Sequence, residues 1–281
     1  MSIVAETRPA ETAPVRPATH LKVTGRRVLR SEWAKLWSLR STWITLGLGL
    51  LFLLAFGTIA AFRYKSMLNS GQPMDPDFAD ATSYSLSLFG VRFSLIALGV
   101  LGVLTASGEY TTGMIRSTLA AVPRRLPVLW SKAAIFGLVA FVAAAAGALA
   151  AFLIGNGVLS GTAKVMSLSD AGVLRGLLGA GVYLALVAVI GVALGTLLRS
   201  TAGGISALVG TFLLVPGLKS LLPASWQTHL TPYLPSNAGE SIYSLHHVSG
   251  TLSAGAGLLV LLGWTALALG GAAYRLMRSD A

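Results

Sequence analysis

TWITLGLGLLFLLAFGTIAAF, residues 42–62, is a run of twenty-one residues without a charged side chain, closed by Arg63 and Lys65. As a helix at about 1.5 Å per residue it covers about 30 Å, the thickness of a bilayer's hydrocarbon core. Comparable runs recur at 86–106, 133–154, 172–198, 203–222 and 254–273, the second interrupted only by Arg92. A soluble domain can hide one such helix in its core but not a series of them. The pattern predicts an all-α integral membrane protein with six transmembrane helices. Composition agrees, since 11% of the residues are charged against roughly a quarter in ordinary globular domains. The first run starts some forty residues in and lacks a small-residue cleavage pattern, so it reads as a retained span.

The formal net charge is +11, an excess that suits either nucleic acid or anionic lipid. Position favours lipid headgroups, because eight cations (Arg8, Arg16, Lys22, Arg26, Arg27, Arg30, Lys35 and Arg40) precede the first span. On the same side fall Arg116, Arg124, Arg125, Lys132, Arg199, Arg275 and Arg278, which makes fifteen. The other side holds five: Arg63, Lys65, Lys164, Arg175 and Lys219. By the positive-inside rule both termini are expected in the cytosol, in a multi-pass protein of the cell (plasma) membrane.

Residues 1–24, with Pro9, Pro14 and Pro17 and few groups to bury, read as a disordered cytosolic tail. From Gly25 to Arg40 the pattern is helical and two-faced. Leu29, Trp33, Leu36 and Trp37 share one side, while Arg26, Arg30 and Lys35 populate the rest. Trp33, Lys35 and Trp37 thus mark an amphipathic interfacial helix; the same residues also fit a plain positive-inside anchor. Between the second and third spans, Ile115, Leu119 and Val122 recur at helical spacing, with Glu109, Thr112 and Arg116 on another face. That is a short amphipathic helix, or an ordinary cytosolic loop. Gly172/Gly176 and Gly191/Gly195 form small-xxx-small pairs suited to close helix packing. Pro216 and Gly217 predict a kink in the fifth span. The segment 223–253 is too polar to span and reads as short helices on the outer surface or dipping partly in.

Chemistry is excluded more than indicated. There is no cysteine, so disulfides and thiolate sites are absent. No GxxxxGK[ST] loop occurs, so no nucleotide cofactor is expected on this chain. All ten carboxylates fall in tails, loops or at span edges, leaving no acidic residue in a core to relay protons. The His246–His247 pair lacks further ligands nearby, and no catalytic or metal residue is assigned. Arg92 lies about 9 Å inside the second span. It either snorkels to the headgroups or faces a translocation path.

The block RVLRSEWAKLWSLRSTW (Arg27 to Trp43), together with GEYTTGMIRSTLAAVPRR (Gly108 to Arg125), resembles the permease subunits of type-2 ATP-binding cassette (ABC) exporters. LPSNAG (Leu234 to Gly239) is similar to the outer segment before the last helix of such proteins, notably in actinobacteria. The resemblance covers roughly residues 25–275. It implies a six-helix half-transporter that pairs with a second permease copy or paralogue and a separate cytosolic ABC ATPase, with ATP and Mg on that partner. It also implies that residues 107–122 hold the coupling helix, with Glu109, Tyr110, Arg116, Arg124 and Arg125 in contact with the ATPase. On that reading Ile115 and Leu119 pack inward, and Glu109 and Arg116 are free for polar contacts. The passenger is then hydrophobic or amphipathic, such as a drug, antibiotic or lipid. A secondary transporter or channel is the alternative, disfavoured by the missing buried carboxylate and inverted repeat.

Overall fold

A computed structural model describes residues 24–71, 81–122, 124–218, 221, 223–246 and 250–278. Most of the N-terminal tail, the acidic loop with Asp75, Asp77 and Asp80, Lys219 and His247 lie outside the described residues. The elements are α1 (Gly25–Ser38), α2 (Arg40–Ser70), α3 (Ser83–Ser87), α4 (Val91–Thr111), α5 (Met114–Ala121), α6 (Leu126–Val158), α7 (Val173–Leu198), α8 (Thr201–Val209), α9 (Val215–Gly217), α10 (Ala224–His229), α11 (Pro235–Tyr243) and α12 (Ala254–Arg278). The described residues thus form a helical protein. Five of its helices are long and apolar enough to cross a bilayer: Arg40–Ser70, Ser83–Thr111, Leu126–Val158, Val173–Leu198 and Ala254–Arg278. The chain is a multi-pass membrane protein.

The fifth of the expected spans departs from the sequence reading. Its apolar helix stops at Gly217, giving Thr201–Gly217, about 25 Å long and short of a full hydrocarbon core. The cause is local. Pro216 has no amide hydrogen to donate and its ring crowds the carbonyl one turn back, and the turn before it, Gly210–Leu214, is widened into a π-helix. Four of the five long helices overrun their apolar runs, because a helix continues through the headgroup layer wherever its polar residues remain helix formers, whereas Val173–Leu198 keeps within its run.

The hub is α7, the most buried of the five, with α4, α6, α8, α11 and α12 packed around it. Its glycines allow this. A Cβ on Gly191 would meet the Gly99 carbonyl, one on Gly195 the Val103 carbonyl, and one on Gly102 the Ala188 carbonyl. Helices α4 and α7 therefore run parallel, backbone against backbone, a contact that dispersion stabilises once no side chain intervenes. Helix α2 closes the other side of α4 and α6, with Leu53 fully buried. Helix α11 lies antiparallel to α7, Tyr243 level with Gly176 and Ile242 with Gly179. Trp264 of α12 donates to the Tyr233 carbonyl at 3.0 Å. The segment before α11 therefore reaches ten residues along α12, about 15 Å. Two ends of the bundle result. One bears α1, α5 and the close of α12, and the other bears α3 and the turn 159–172.

Candidate functional site: a buried charge cluster where four helices meet

Helix α1 packs on α6, but not by the side that its hydrophobic pattern selects. Val28, Glu32 and Leu36 are its buried residues, one turn apart, while Leu29 and Trp33 are 38% and 43% exposed. The aromatic side continues into α2 as a ladder, with ring centroids 5.2 Å apart for Trp33 and Trp37 and 4.3 Å for Trp37 and Trp43. The inward side carries the charge. Glu32 sits there because an i, i+4 stripe through Val28 and Leu36 includes it.

Glu109 is on the last turn of α4 rather than on the loop helix, and it is only 4% exposed, as is Glu32. Two lysines bridge these carboxylates. Lys132 Nζ, one turn and a half into α6, donates to Glu32 Oε2 at 2.7 Å and to Glu109 Oε1 at 2.8 Å. Lys35 Nζ donates to Glu32 Oε1 at 2.8 Å and to Glu109 Oε1 at 3.1 Å, and reaches Thr118 Oγ of α5 at 3.3 Å. Two positive and two negative groups thus cancel inside the protein, and α1, α4, α5 and α6 all hold on to one point. Burial acts to lower the Lys35 pKa, but the hydrogen bond and charge of Glu32, with those of Glu109, outweigh it, so this ammonium sits above its ordinary 10.5. Isolated buried charges are expensive, and pairing with full hydrogen bonding is what makes them tolerable. Glu109 Oε2 is buried and has no hydrogen-bond partner in this conformation.

This corrects the sequence reading in two ways. Glu32 and Glu109 stand where the sequence placed them, outside the apolar runs, yet both are buried; and Glu109, expected to meet the ATPase, gives its Oε1 to Lys35 and Lys132. Glu32 and Lys132 were passed over, although Glu32 shares a stripe with buried apolar residues and Lys132 stands inside an otherwise apolar helix. The remaining residues of the motif divide by exposure. Ile115 is buried and Leu119 packs with Leu129 and Leu276. Arg116 and Arg124 are exposed. Arg125 donates to the Leu276 carbonyl at 3.1 Å, tying α6 to the end of α12. Tyr110 lies under the Arg199 guanidinium, 5.2 Å from ring centre to Cζ.

No protein-family model matches the chain, and no curated protein matches it.

Arg92 stands apart from the cluster. The register of Gly99 against Gly191 and Val103 against Gly195 sets it level with Leu184, eleven residues or about 16 Å from the start of α7. It does not snorkel alone. It donates to Glu240 Oε1 of α11 at 2.9 Å, with the two side chains 63% and 49% exposed. Arg175, nearer the helix end, donates to the Ile242 and Ser244 carbonyls at 3.1 and 2.8 Å, and Tyr84 donates to the Tyr243 carbonyl. Helix α11 is therefore pinned to α3, α4 and α7 by polar groups. Glu240 was not singled out from sequence, although it is the one carboxylate between Asp170 and Asp280.

Proposed function

We propose that this chain is the membrane-spanning permease subunit of an ATP-driven ABC exporter, coupled to a separate cytosolic ATPase and paired with a second permease. The observation that carries this reading is the Glu32–Lys35–Glu109–Lys132 cluster. An ATPase can reorient helices only through a stiff element that it grips, and four charged groups fastening α1 and α5 to the ends of α4 and α6 supply such an element. In this reading α5 is the coupling helix, Arg116 and Arg124 face the ATPase, and Glu109 transmits force without touching it. The resemblance of residues 27–43 and 108–125 to type-2 exporter permeases supports the same assignment.

The cation asymmetry supports placing the α1 and α5 end in the cytosol, with both termini there, in the plasma membrane. The sixth crossing is then completed by α8 and α9 together with the segment that leads back into α11. The passenger is hydrophobic or amphipathic, and the chain makes no covalent bonds. Arg92 and Glu240, half-exposed at a depth where lipid would not tolerate bare charge, suit an aqueous path. A secondary transporter or channel would use such a pair as well.

Nucleotide separates the two readings. The purified chain alone is expected neither to bind nor to hydrolyse ATP, while its complex with a P-loop ATPase does both and moves substrate only with ATP. Transport by the chain alone in proteoliposomes, driven by an ion gradient, would overturn the exporter reading in favour of the second.

A further inference from the structure

Beside the charge cluster lies an open-mouthed cavity of about 260 Å³ lined by residues of α1, α2, α4, α5 and α6. Its floor is apolar, with Leu36, Leu104, Ile135 and Phe136, and one wall is the cluster itself. The mouth is flanked by Leu39 and Met114, 44% and 38% exposed, at the joint between the interfacial helix and the first span.

Which charges a visitor would meet is decided by exposure. The two carboxylates are 4% exposed, whereas the Lys35 and Lys132 side chains keep 22% and 11%. An ammonium has three N–H donors, and those of Lys132 make two bonds among the described contacts, to Glu32 and Glu109. One donor is left over. The reachable charge is therefore positive and a donor, beside the Ser41, Thr105 and Thr112 hydroxyls, at the end of an apolar slot that opens where interfacial helix meets bilayer.

We propose that this cavity binds a monoanionic amphiphile, its carboxylate or phosphate head at Lys132 and its acyl chain along Leu36, Leu104 and Phe136. The volume is just below that of pockets for drug-sized ligands, about 300 to 1,000 Å³, so it suits a short chain or the first part of a longer one. A ligand seated there lies between α1 and α4, against the groups that hold them together, and so adjusts the junction that the proposed coupling depends on. Binding is read on the purified chain, so it stands or falls separately from the exporter assignment.

The test uses the full chain in phosphatidylcholine nanodiscs, titrated calorimetrically with decanoate and with decanol as its uncharged counterpart. Decanoate is expected to bind at one site, about tenfold more tightly than decanol, a difference of about 1.4 kcal/mol. Leu104→Trp, which fills the slot, and Ser41→Trp, at an exposed position by the mouth, are each expected to weaken decanoate about tenfold or more. Ser41→Trp keeps the test sound if the core variant fails to fold. Equal affinity for decanol, undiminished binding by folded Trp variants, or no decanoate binding would overturn the proposal. Nanodiscs with phosphatidylglycerol distinguish the sources of the anion. One phosphatidylglycerol retained per chain in native mass spectrometry and displaced by decanoate identifies a bilayer lipid as the occupant. Unchanged decanoate affinity in those discs identifies a free amphiphile; both outcomes support the site.

Discussion

Lys132 on α6 donates to Glu109 on α4 at 2.8 Å, joining helices whose contact residues are 23 positions apart in sequence. With Glu32 and Lys35 the balance of charge is zero, so removing any one member leaves an uncompensated charge in a buried place. Glu109→Ala is therefore expected to destabilise the protein by about 3 to 5 kcal/mol, seen as loss of monodisperse protein on heating in detergent. Lys132→Ala is expected to do likewise, and the double change Glu109→Ala with Lys132→Ala, which removes one charge of each sign, to cost less than the sum of the two, since contacting pairs couple. Independent, additive effects of the two changes would show that the cluster is not a unit. Raised above its ordinary value, the Lys35 ammonium contributes fully below pH 10.5 and loses that contribution only as pH rises through the folded value. Thermal stability is thus expected to show no Lys35-dependent step between pH 7 and 9, measured against Lys35→Met.

The α4–α7 seam depends on the absence of side chains. Gly102→Val places a branched group where the Ala188 carbonyl stands and is expected to abolish stable accumulation in the membrane. Gly47→Ala has open space around its added carbon and is expected to leave protein levels unchanged. Immunoblots of membranes from matched cultures read both.

Helix α11 is held at membrane depth by Arg92 through Glu240. Glu240→Ala is expected to loosen it, so that a cysteine at Ser236, whose hydroxyl is buried, reacts several-fold faster with a small maleimide than in the otherwise unaltered chain. The exchange Arg92→Glu with Glu240→Arg is expected to restore the slow rate, because an ion pair is symmetric to inversion. A rate insensitive to Glu240→Ala would mean that Arg175 and Tyr84 hold α11 without help.

A chain without cysteine permits direct mapping of its two ends. Ser70→Cys and Ser160→Cys, at the end bearing α3, are expected to be labelled by an impermeant maleimide in intact cells, and Arg124→Cys, beside α5, only after permeabilisation. The reverse pattern would invert the proposed orientation and remove the cytosolic ATPase contact with it.

The sequence by itself determined the solvent. Uncharged runs of about twenty residues can satisfy their backbone in lipid only as helices, so the long helices and their approximate positions were legible from residue 42 onward. The glycine pairs were legible as packing signals, and Gly191 with Gly195 serves one seam. The tertiary structure alone decided which residues share a place. Periodicity ranks the sides of a helix by mean polarity, and on α1 it therefore put Lys35 outside and passed over Glu32, on the assumption that charge seeks water. Lys132 and Glu109 supply the opposite charges from elsewhere in the chain, and pairing reverses the sign of that argument. Glu240 escaped notice for the same reason, since its partner lies 148 residues away. The shortened helix at 201–217 was half legible: Pro216 signalled a break, but how far the chain then turns back is set by the surface that α7 and α12 offer to α11. Local pattern identifies elements because the solvent is uniform along them, whereas a buried ion pair is a property of two surfaces and exists only once they meet.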